Sequence, residues 1–156
     1  MLNNQIEFLE GNYSIINDYL KKCIFEFGYK KEEILVLVPT LDSAEDLFNK
    51  LDNILKPLCI ITKEIVDNKI IITTFHSSKG LESRICILTN VDKINVDKID
   101  NKKLLYVGMT RASQRLCIHA ENYKNKTFAR QLKNKEFKDN TLNIINHTLS
   151  EYLFPE

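Results

Sequence analysis

A run of five apolar residues, Ile34–Val38, constrains the fold more than any other part of this chain. A strand with no polar position must be buried on both faces, and such strands are typical of parallel sheets with helices on both sides. Short strands are also predicted at Ile6–Glu10, Leu58–Thr62, Ile70–Thr74, Ile85–Thr89 and Arg115–Ala120. The run therefore favours an α/β protein with a largely buried parallel sheet.

Amphipathic helices are predicted between these strands. The first is capped by Asn12 and stopped by Gly28, and its apolar stripe consists of Ile16, Tyr19, Leu20, Cys23, Ile24 and Phe27. Asp42, with Glu45 three residues later, predicts a second helix start. Its buried stripe, which ends before Pro57, consists of Ala44, Leu47, Phe48, Leu51 and Leu55. A third helix is predicted over Asn101–Ser113. Alternation of strands and helices predicts helices on both faces of the sheet and right-handed crossovers.

The amino-acid composition is typical of a single globular domain with no global charge excess. Hydrophobic residues make up 44% of the 156 residues, enough for one core. Lys and Arg number 22 against 21 Asp and Glu, so net charge predicts neither a nucleic-acid nor a membrane partner, although local basic patches escape such a count. The four cysteines form no C-x-x-C pair and are expected to be buried, reduced thiols. The sequence shows no signal peptide or long apolar run, which indicates a cytoplasmic protein without a membrane span.

The segment Thr74–Glu82, with the sequence TFHSSKGLE, directly follows a predicted strand. In parallel sheets ligands bind beyond the carboxyl ends of the strands, where we expect this segment to lie. Gly80 allows either a positive φ or a close backbone approach, and exposed amides in such a turn attract phosphate oxygens. An ordinary strand-to-helix loop is the alternative. His76 has no second ligand at metal-binding spacing, so no metal site is predicted.

The segment Leu104–Ala112, with the sequence LLYVGMTRA, places one arginine near the end of a predicted apolar helix. Gly108 is expected to keep part of the helix surface flat. Arg111 is expected to be held there by the helix, where its planar fork suits the oxygens of a transferring γ-phosphate. Taken alone, Arg111 would more often form a surface salt bridge.

The order of strand, TFHSSKGLE, strand and LLYVGMTRA, closed by a last strand, resembles motifs V and VI of the UvrD/Rep/PcrA class of superfamily-one DNA helicases. The resemblance covers roughly residues 33–120. It implies a RecA-like fold, of the P-loop NTPase type, that forms the second motor domain (2A) of a two-domain ATPase. ATP and Mg would be bound mainly by an N-terminal RecA-like motor domain, supplied in cis or in trans.

The resemblance also implies roles for individual residues. Thr74 and His76 would face single-stranded DNA. Gly80 and Glu82 would approach the nucleotide, with Glu82 at its ribose, and Arg111 would be the catalytic arginine at the γ-phosphate. Tyr106 and Thr110 match the motif and are expected to position the helix.

Three departures from the family pattern matter. Pro39 stands where the family usually has an arginine of motif IV, so the resemblance leaves one expected γ-phosphate contact open. The stretch between motif IV, which corresponds to residues 34–40, and motif V is too short for the large inserted domain of well-known members. No G-x-x-x-x-G-K-[ST] phosphate loop is present, and no Asp-Glu pair follows an apolar strand to hold magnesium. The chain alone is therefore not expected to hydrolyse ATP.

Residues 1–120 are expected to form the RecA-like domain and residues 121–156 a basic, helical C-terminal extension. The tract Asn122–Lys138 has six basic residues and one acidic residue, interleaved with Tyr123, Phe128 and Phe137. It is either a helix that docks its aromatic rings on the core or a basic edge that stacks single-stranded DNA. The near-repeat at residues 91–100 is predicted to be a loop.

The leading hypothesis is the second motor domain of an ATP-dependent single-stranded-DNA translocase or helicase, present as a fragment or as the remnant of a longer gene. The alternative is a free-standing, degenerate RecA-like domain that binds nucleic acid or a partner protein. Glu82 and Arg111 still match the motifs, which favours the first. The helicase part of a helicase–nuclease ranks below both, because no nuclease carboxylates are recognisable.

Overall fold

A computed structural model describes residues 6–125 and residue 154 of the chain. Six parallel strands form one sheet in the order β1-β6-β5-β2-β4-β3. Their bounds are β1 Ile6–Glu10, β2 Ile34–Val38, β3 Cys59–Ile61, β4 Ile70–Thr74, β5 Ser83–Leu88 and β6 Ala112–Ala120. All residues of β2 and β4 are buried, as the apolar runs predicted. The prediction of a parallel α/β sheet is confirmed.

Three α-helices cover the sheet: α1 Ser14–Lys21, α2 Leu41–Lys50 and α3 Ile99–Met109. One π-helical turn, Lys22–Glu26, continues α1, and 3-10 turns lie at Lys31–Glu33, Lys56–Leu58, His76–Ser78, Val91–Lys93 and Tyr123–Asn125. Helices α1 and α2 share a core with one face of the sheet, whereas α3 packs against the other face. The alternating strand residues divide accordingly, so both faces are covered as predicted.

Helix α2 begins and ends earlier than the sequence pattern predicted. Thr40, and not Asp42, caps it, because the Oγ1 of the extended Thr40 accepts the backbone N–H of Ser43 at 3.0 Å. The helix ends at Lys50 because Leu51 is extended and Asp52 Oδ1 accepts the following backbone N–H groups of Ile54 and Leu55. Leu51 and Leu55 are nevertheless buried, as expected.

Helix α3 also ends earlier, at Met109 instead of Ser113, and β6 begins at Ala112. The N–H of Thr110 bonds the carbonyls of both Tyr106 and Val107, which tightens the last turn. The N–H of Ser83 then donates to the Arg111 carbonyl at 3.0 Å, and this bond starts the β5–β6 ladder. Sheet pairing therefore extends the strand at the expense of the helix, and Arg111 lies in a turn.

The start of the predicted C-terminal extension packs on the core. Tyr123 is buried, and its hydroxyl donates to the Ile118 carbonyl at 2.7 Å. Phe154 contacts Tyr106 edge to face, with ring centroids 6.0 Å apart. Most of the extension, including Phe128 and Phe137, lies outside the described residues, so its predicted helix and its aromatic contacts stay predictions.

The four cysteines are buried and unpaired, as predicted. Burial disfavours the charged thiolate and raises the pKa of Cys23 and of Cys59 to about 12. No described helix has both the length and the apolar composition needed to cross a bilayer.

His119 joins the carboxyl ends of three strands. Its Nδ1 accepts the N–H of Asn90, which follows β5, at 3.0 Å, while its Nε2 lies 2.7 Å from the carbonyl oxygen of Gly11, which follows β1. A carbonyl cannot donate, so Nε2 must carry the proton and the ring must be neutral. Asn90 has φ +52° and donates its side-chain amide to the Tyr13 hydroxyl. The network therefore fixes one tautomer of a fully buried imidazole.

We expect the free energy of unfolding to depend on pH through His119. Burial is the main cause that lowers the pKa of His119 below its ordinary 6.5, so the unfolded chain binds the proton more readily than the folded one. The stabilisation should be fully present above about pH 6.5 and should fall below it, by at most about 1.4 kcal/mol per pH unit. Urea unfolding between about pH 5 and pH 8 measures this slope.

His119→Gln is the control, because its amide keeps a donor for Gly11 and does not titrate. The variant should show a flatter stability profile across the same pH range. Identical profiles for both proteins would show that His119 does not govern the pH dependence.

Candidate functional site

The candidate residues of the two motifs lie at opposite ends of the parallel strands. The carboxyl ends of the strands form the carboxyl edge of the sheet, and their amino ends form the amino edge. Thr74 is the last residue of β4 and pairs with Val38, so it lies at the carboxyl edge with His76 just beyond it. Glu82 immediately precedes β5, and Arg111 immediately precedes β6, so both lie at the amino edge. Because β5 is parallel to β4, the chain must return across about 20 Å of sheet between them.

This topology corrects one expectation. The segment Thr74–Glu82 was predicted to lie wholly beyond the carboxyl ends of the strands. That is right for Thr74 and His76 and wrong for Glu82. The structure thus forms two candidate sites, one at the amino edge and one at the carboxyl edge, with the residues from Phe75 to Leu81 as the connection between them.

The connection contains a tight turn that requires glycine. Lys79 has φ −58° and ψ 126°, and Gly80 has φ +85°. The N–H of Leu81 donates to the Ser78 carbonyl at 2.9 Å. These values match a type II β-turn, in which the third residue needs a positive φ. A Cβ at Gly80 would meet no atom within 4 Å, so of the two predicted reasons for this glycine, the positive φ is the one that the structure shows.

Arg111 is tethered to its own chain at three nitrogens. Its Nε donates to the Val107 carbonyl at 3.1 Å, its Nη1 to the Leu81 carbonyl at 3.2 Å, and its Nη2 to the Thr110 hydroxyl at 3.3 Å. Among the described residues, no carboxylate lies within ion-pair distance of it. The surface salt bridge that the sequence left open is therefore absent from the described part of the chain, which supplies no counter-charge to the guanidinium.

The Leu81 contact brings the glycine turn and Arg111 together at the amino edge. Glu82, the next residue, is exposed. It lines a cleft of about 270 Å³ whose other walls are Glu32, Glu33, Ser83, Arg84 and Ser113. Arg84 Nε donates to Glu33 across this region at 2.7 Å. An exposed carboxylate such as that of Glu82 can accept a hydrogen bond from a hydroxyl group, and a partly exposed guanidinium such as that of Arg111 can bind a phosphate.

The two residues at the carboxyl edge differ in availability. The Thr74 side chain is mostly buried, and its Oγ1 accepts the N–H of Ser77 at 3.1 Å, which caps the turn after β4. His76 is exposed and makes no side-chain hydrogen bond to another described residue. The structure thus gives Thr74 a role in shaping the turn and leaves His76 free to contact a ligand.

A cavity of about 260 Å³ also lies at the carboxyl edge, and the sequence did not predict it. Its walls come from four separate segments and consist of Pro39, Thr40, Phe75, Lys93, Ile94, Asn95, Asn101 and Leu104. The near-repeat at residues 91–100 supplies part of the wall, after a 3-10 turn at Val91–Lys93. The only related sequence feature is the near-repeat between the two motifs. Its position in the sequence does not indicate that it lines a cavity with Pro39 and Phe75.

Pro39 itself follows β2 at this carboxyl edge. Position 39 therefore lies at the carboxyl edge of the sheet, whereas Arg111 lies at the amino edge. Positions 39 and 111 are therefore separated by about the length of a strand, and the effect of Pro39 on the expected γ-phosphate contact stays open.

Gly108 lets α3 pack closely on the connection between the two edges. A Cβ at this position would lie 2.9 Å from Cδ1 and 3.0 Å from Cε1 of the Phe75 ring, and 3.2 Å from Leu37 Cδ1. The predicted flat helix surface is thus filled by Phe75, the residue between Thr74 and His76. Among the described residues, no group of three or more His, Cys, Asp or Glu side chains is placed to hold a metal ion.

Comparison with known proteins gives a consistent result. The sequence pattern of the UvrD-like helicase C-terminal domain matches residues 29–123. The ATP-dependent DNA helicase Rep of Buchnera aphidicola is 31% identical over 115 residues, which cover 68% of this chain and 16% of Rep. The F-box DNA helicase protein 1 of Schizosaccharomyces pombe is 34% identical over 123 residues, which cover 67% of this chain and 14% of that protein. The chain thus spans about a sixth of these relatives.

Among solved structures, the C-terminal domain of a possible DNA helicase from Lactobacillus plantarum has a TM-score of 0.57 and 19% identity. The match covers 76% of this chain and 74% of that one. At this identity it supports the RecA-like α/β fold alone. The sequence match extends over more than half of the chain and includes both motifs, so this chain belongs to the UvrD-like helicase C-terminal domain family.

Proposed function

We propose that this chain is the second motor domain of an ATP-dependent translocase or helicase that acts on single-stranded DNA. This proposal rests on the hydrogen bonding of the Arg111 guanidinium. Its guanidinium is held at a sheet edge, has no carboxylate partner among the described residues, and keeps one unused N–H on each terminal nitrogen. Such a group suits the oxygens of a phosphate that a second domain presents.

The amino edge would contact the nucleotide. Arg111 would stabilise the charge that develops on the γ-phosphate during transfer, and Glu82 would accept a hydrogen bond from a ribose hydroxyl. Gly80 would allow the turn to approach the nucleotide closely, because no atom of the described residues occupies the space beside it. ATP and Mg would be held mainly by an N-terminal RecA-like motor domain, since the sequence contains no phosphate loop.

The carboxyl edge would contact the DNA. His76 is exposed there, and the turn that Thr74 caps presents backbone groups beside it. The residues from Phe75 to Leu81 run from this edge to the carbonyl that holds Arg111. DNA contact at one end and nucleotide contact at the other would therefore be linked through one short, hydrogen-bonded segment. Residues 121–156 would add a basic extension to the domain, and the expected location is the cytoplasm.

We expect the isolated chain to bind single-stranded DNA weakly, without sequence preference and with strong salt dependence. Only one side of the DNA cleft is present, and the contacts are to backbone phosphates, each of which contributes about 0.7 to the slope of log affinity against log salt concentration. Fluorescence anisotropy with a labelled oligonucleotide at rising salt measures this slope. His76→Ala should weaken binding, whereas Ser113→Ala, an exposed change at the amino edge, should not.

Three outcomes would count against this assignment. Tight binding to one sequence would indicate base recognition, and absence of binding at low salt would remove the DNA surface. Equal affinity of wild type, His76→Ala and Ser113→Ala would move the DNA contact away from the carboxyl edge.

A further inference from the structure

Thr110 lies between the end of α3 and the guanidinium of Arg111. Its hydroxyl donates to the Val107 carbonyl at 2.8 Å and accepts a hydrogen bond from Arg111 Nη2 at 3.3 Å. The same Val107 carbonyl accepts the Nε–H of Arg111 at 3.1 Å. One side-chain hydroxyl and one backbone carbonyl therefore hold two of the three guanidinium nitrogens.

This arrangement defines the direction of the hydroxyl. Because Thr110 Oγ1 donates its only hydrogen to Val107, its lone pairs are left for the Arg111 Nη2 group. Threonine is also stiff about χ1, since its branched Cβ restricts the rotamers, so the oxygen is held more firmly than that of a serine would be. The Leu81 carbonyl holds the third nitrogen, Nη1, at 3.2 Å.

Fixing three nitrogens of a planar group fixes the whole plane. A guanidinium has five N–H donors, and three of those of Arg111 are used within the chain. Each terminal nitrogen keeps one donor that bonds no group of residues 6–125. Their direction follows from the plane, and the plane depends on Thr110 for the Nη2 side.

We propose that Thr110 is a positioning residue, which sets the orientation in which Arg111 presents its two remaining N–H donors to a phosphate. The inference rests on the proposed function of Arg111 and goes beyond it, because it assigns a role to a side chain that need not touch the nucleotide. Thr110→Val keeps the shape of the side chain and removes both hydrogen bonds, whereas Thr110→Ser keeps the hydroxyl.

The first test uses the full 156-residue chain without nucleotide. NMR of the labelled arginine side chains measures the rotation rate about the Cζ–Nη2 bond of Arg111, with Arg111→Lys to identify its signals. Loss of one hydrogen bond should accelerate this rotation by about 2- to 10-fold in Thr110→Val. Thr110→Ser and Ser113→Ala should stay close to the wild-type rate. An unchanged rate in Thr110→Val would overturn the inference.

The second test uses the motor that contains this domain together with its first motor domain. Thr110→Val should lower kcat by about 2- to 10-fold with little change in KM, and Thr110→Ser should retain most of the rate. If Arg111→Ala abolishes turnover while Thr110→Val is normal, the positioning role fails and the proposed function stands. If Arg111→Ala itself turns over normally, the proposed function fails, and the NMR rates still decide whether Thr110 orients Arg111.

Discussion

Replacing Arg111 by alanine is expected to lower ATP turnover by about 10²-fold or more in a motor that contains both RecA-like domains. The guanidinium would act mainly on the charge that develops in the transition state, so nucleotide affinity should stay nearly unchanged. A factor of 10² corresponds to about 2.7 kcal/mol of lost transition-state stabilisation. Steady-state ATPase rates with saturating single-stranded DNA, together with nucleotide titration, measure both quantities.

Arg111→Lys should recover little of this loss, because a point charge cannot replace a fork that is held by Val107, Leu81 and Thr110. The 156-residue chain alone serves as the blank and is not expected to hydrolyse ATP. Arg111 is half-buried and bonds only uncharged groups, so its removal should cost about 1 kcal/mol of stability or a little more. A large fall in melting temperature with normal turnover per folded molecule would assign Arg111 a structural role instead.

Gly108→Val is expected to be the most destabilising of the substitutions considered. A Cβ there lies 2.9 Å from the Phe75 ring, which is itself buried, so the ring or the helix must move. Overpacking of this kind costs about 1–3 kcal/mol, and the two further methyl groups of valine place it at the upper end or beyond. For a chain of this size about 3 kcal/mol lowers the melting temperature by about 6–12 °C. Thermal unfolding measures the shift.

The smaller variant Gly108→Ala separates packing from helix propensity. Alanine favours a helix over glycine by about 0.5–1 kcal/mol, so a net loss of stability in Gly108→Ala must come from the close contacts with Phe75 and Leu37. Phe75→Leu removes the nearest ring atoms, and the double variant should be more stable than the sum of the two single changes predicts. Additive effects would show that Gly108 is not selected by this contact.

Gly80→Ala tests the second reason for a glycine, which is a positive φ and not a close packing contact. At Gly80 there is space for a Cβ, and the cost, about 1–2 kcal/mol, should come from φ +85° alone. Gly80→Asn should therefore cost less than Gly80→Ala, because asparagine tolerates the left-handed region. At Gly108, where the packing contact sets the cost, asparagine should be worse than alanine.

The central strands could be predicted from the sequence because a strand that is buried on both faces consists of consecutive apolar residues. Ile34–Val38 and Ile70–Thr74 have the predicted bounds, since every position of these two strands is buried. Ile6–Glu10 also has the predicted bounds, although it is an edge strand with partly exposed positions. The motif residues were also recognisable, because their chemical types recur at a set spacing. The ends of the helices could not be predicted in this way. Thr40 displaced Asp42 as a cap, and α3 stopped before Arg111, because a cap or a strand partner from elsewhere in the fold decides where a helix ends.

The composition and order of the two motifs determined the family and the identity of the candidate residues, but not where they lie. Glu82 and Arg111 lie at the same amino edge because β5 and β6 are parallel neighbours, and Thr74 and His76 remain a strand length away because β4 is parallel to them. The guanidinium of Arg111 is oriented by the Leu81 carbonyl, thirty positions earlier in the chain. Such contacts depend on the relative placement of separate segments, which local sequence patterns do not encode and tertiary packing alone decides.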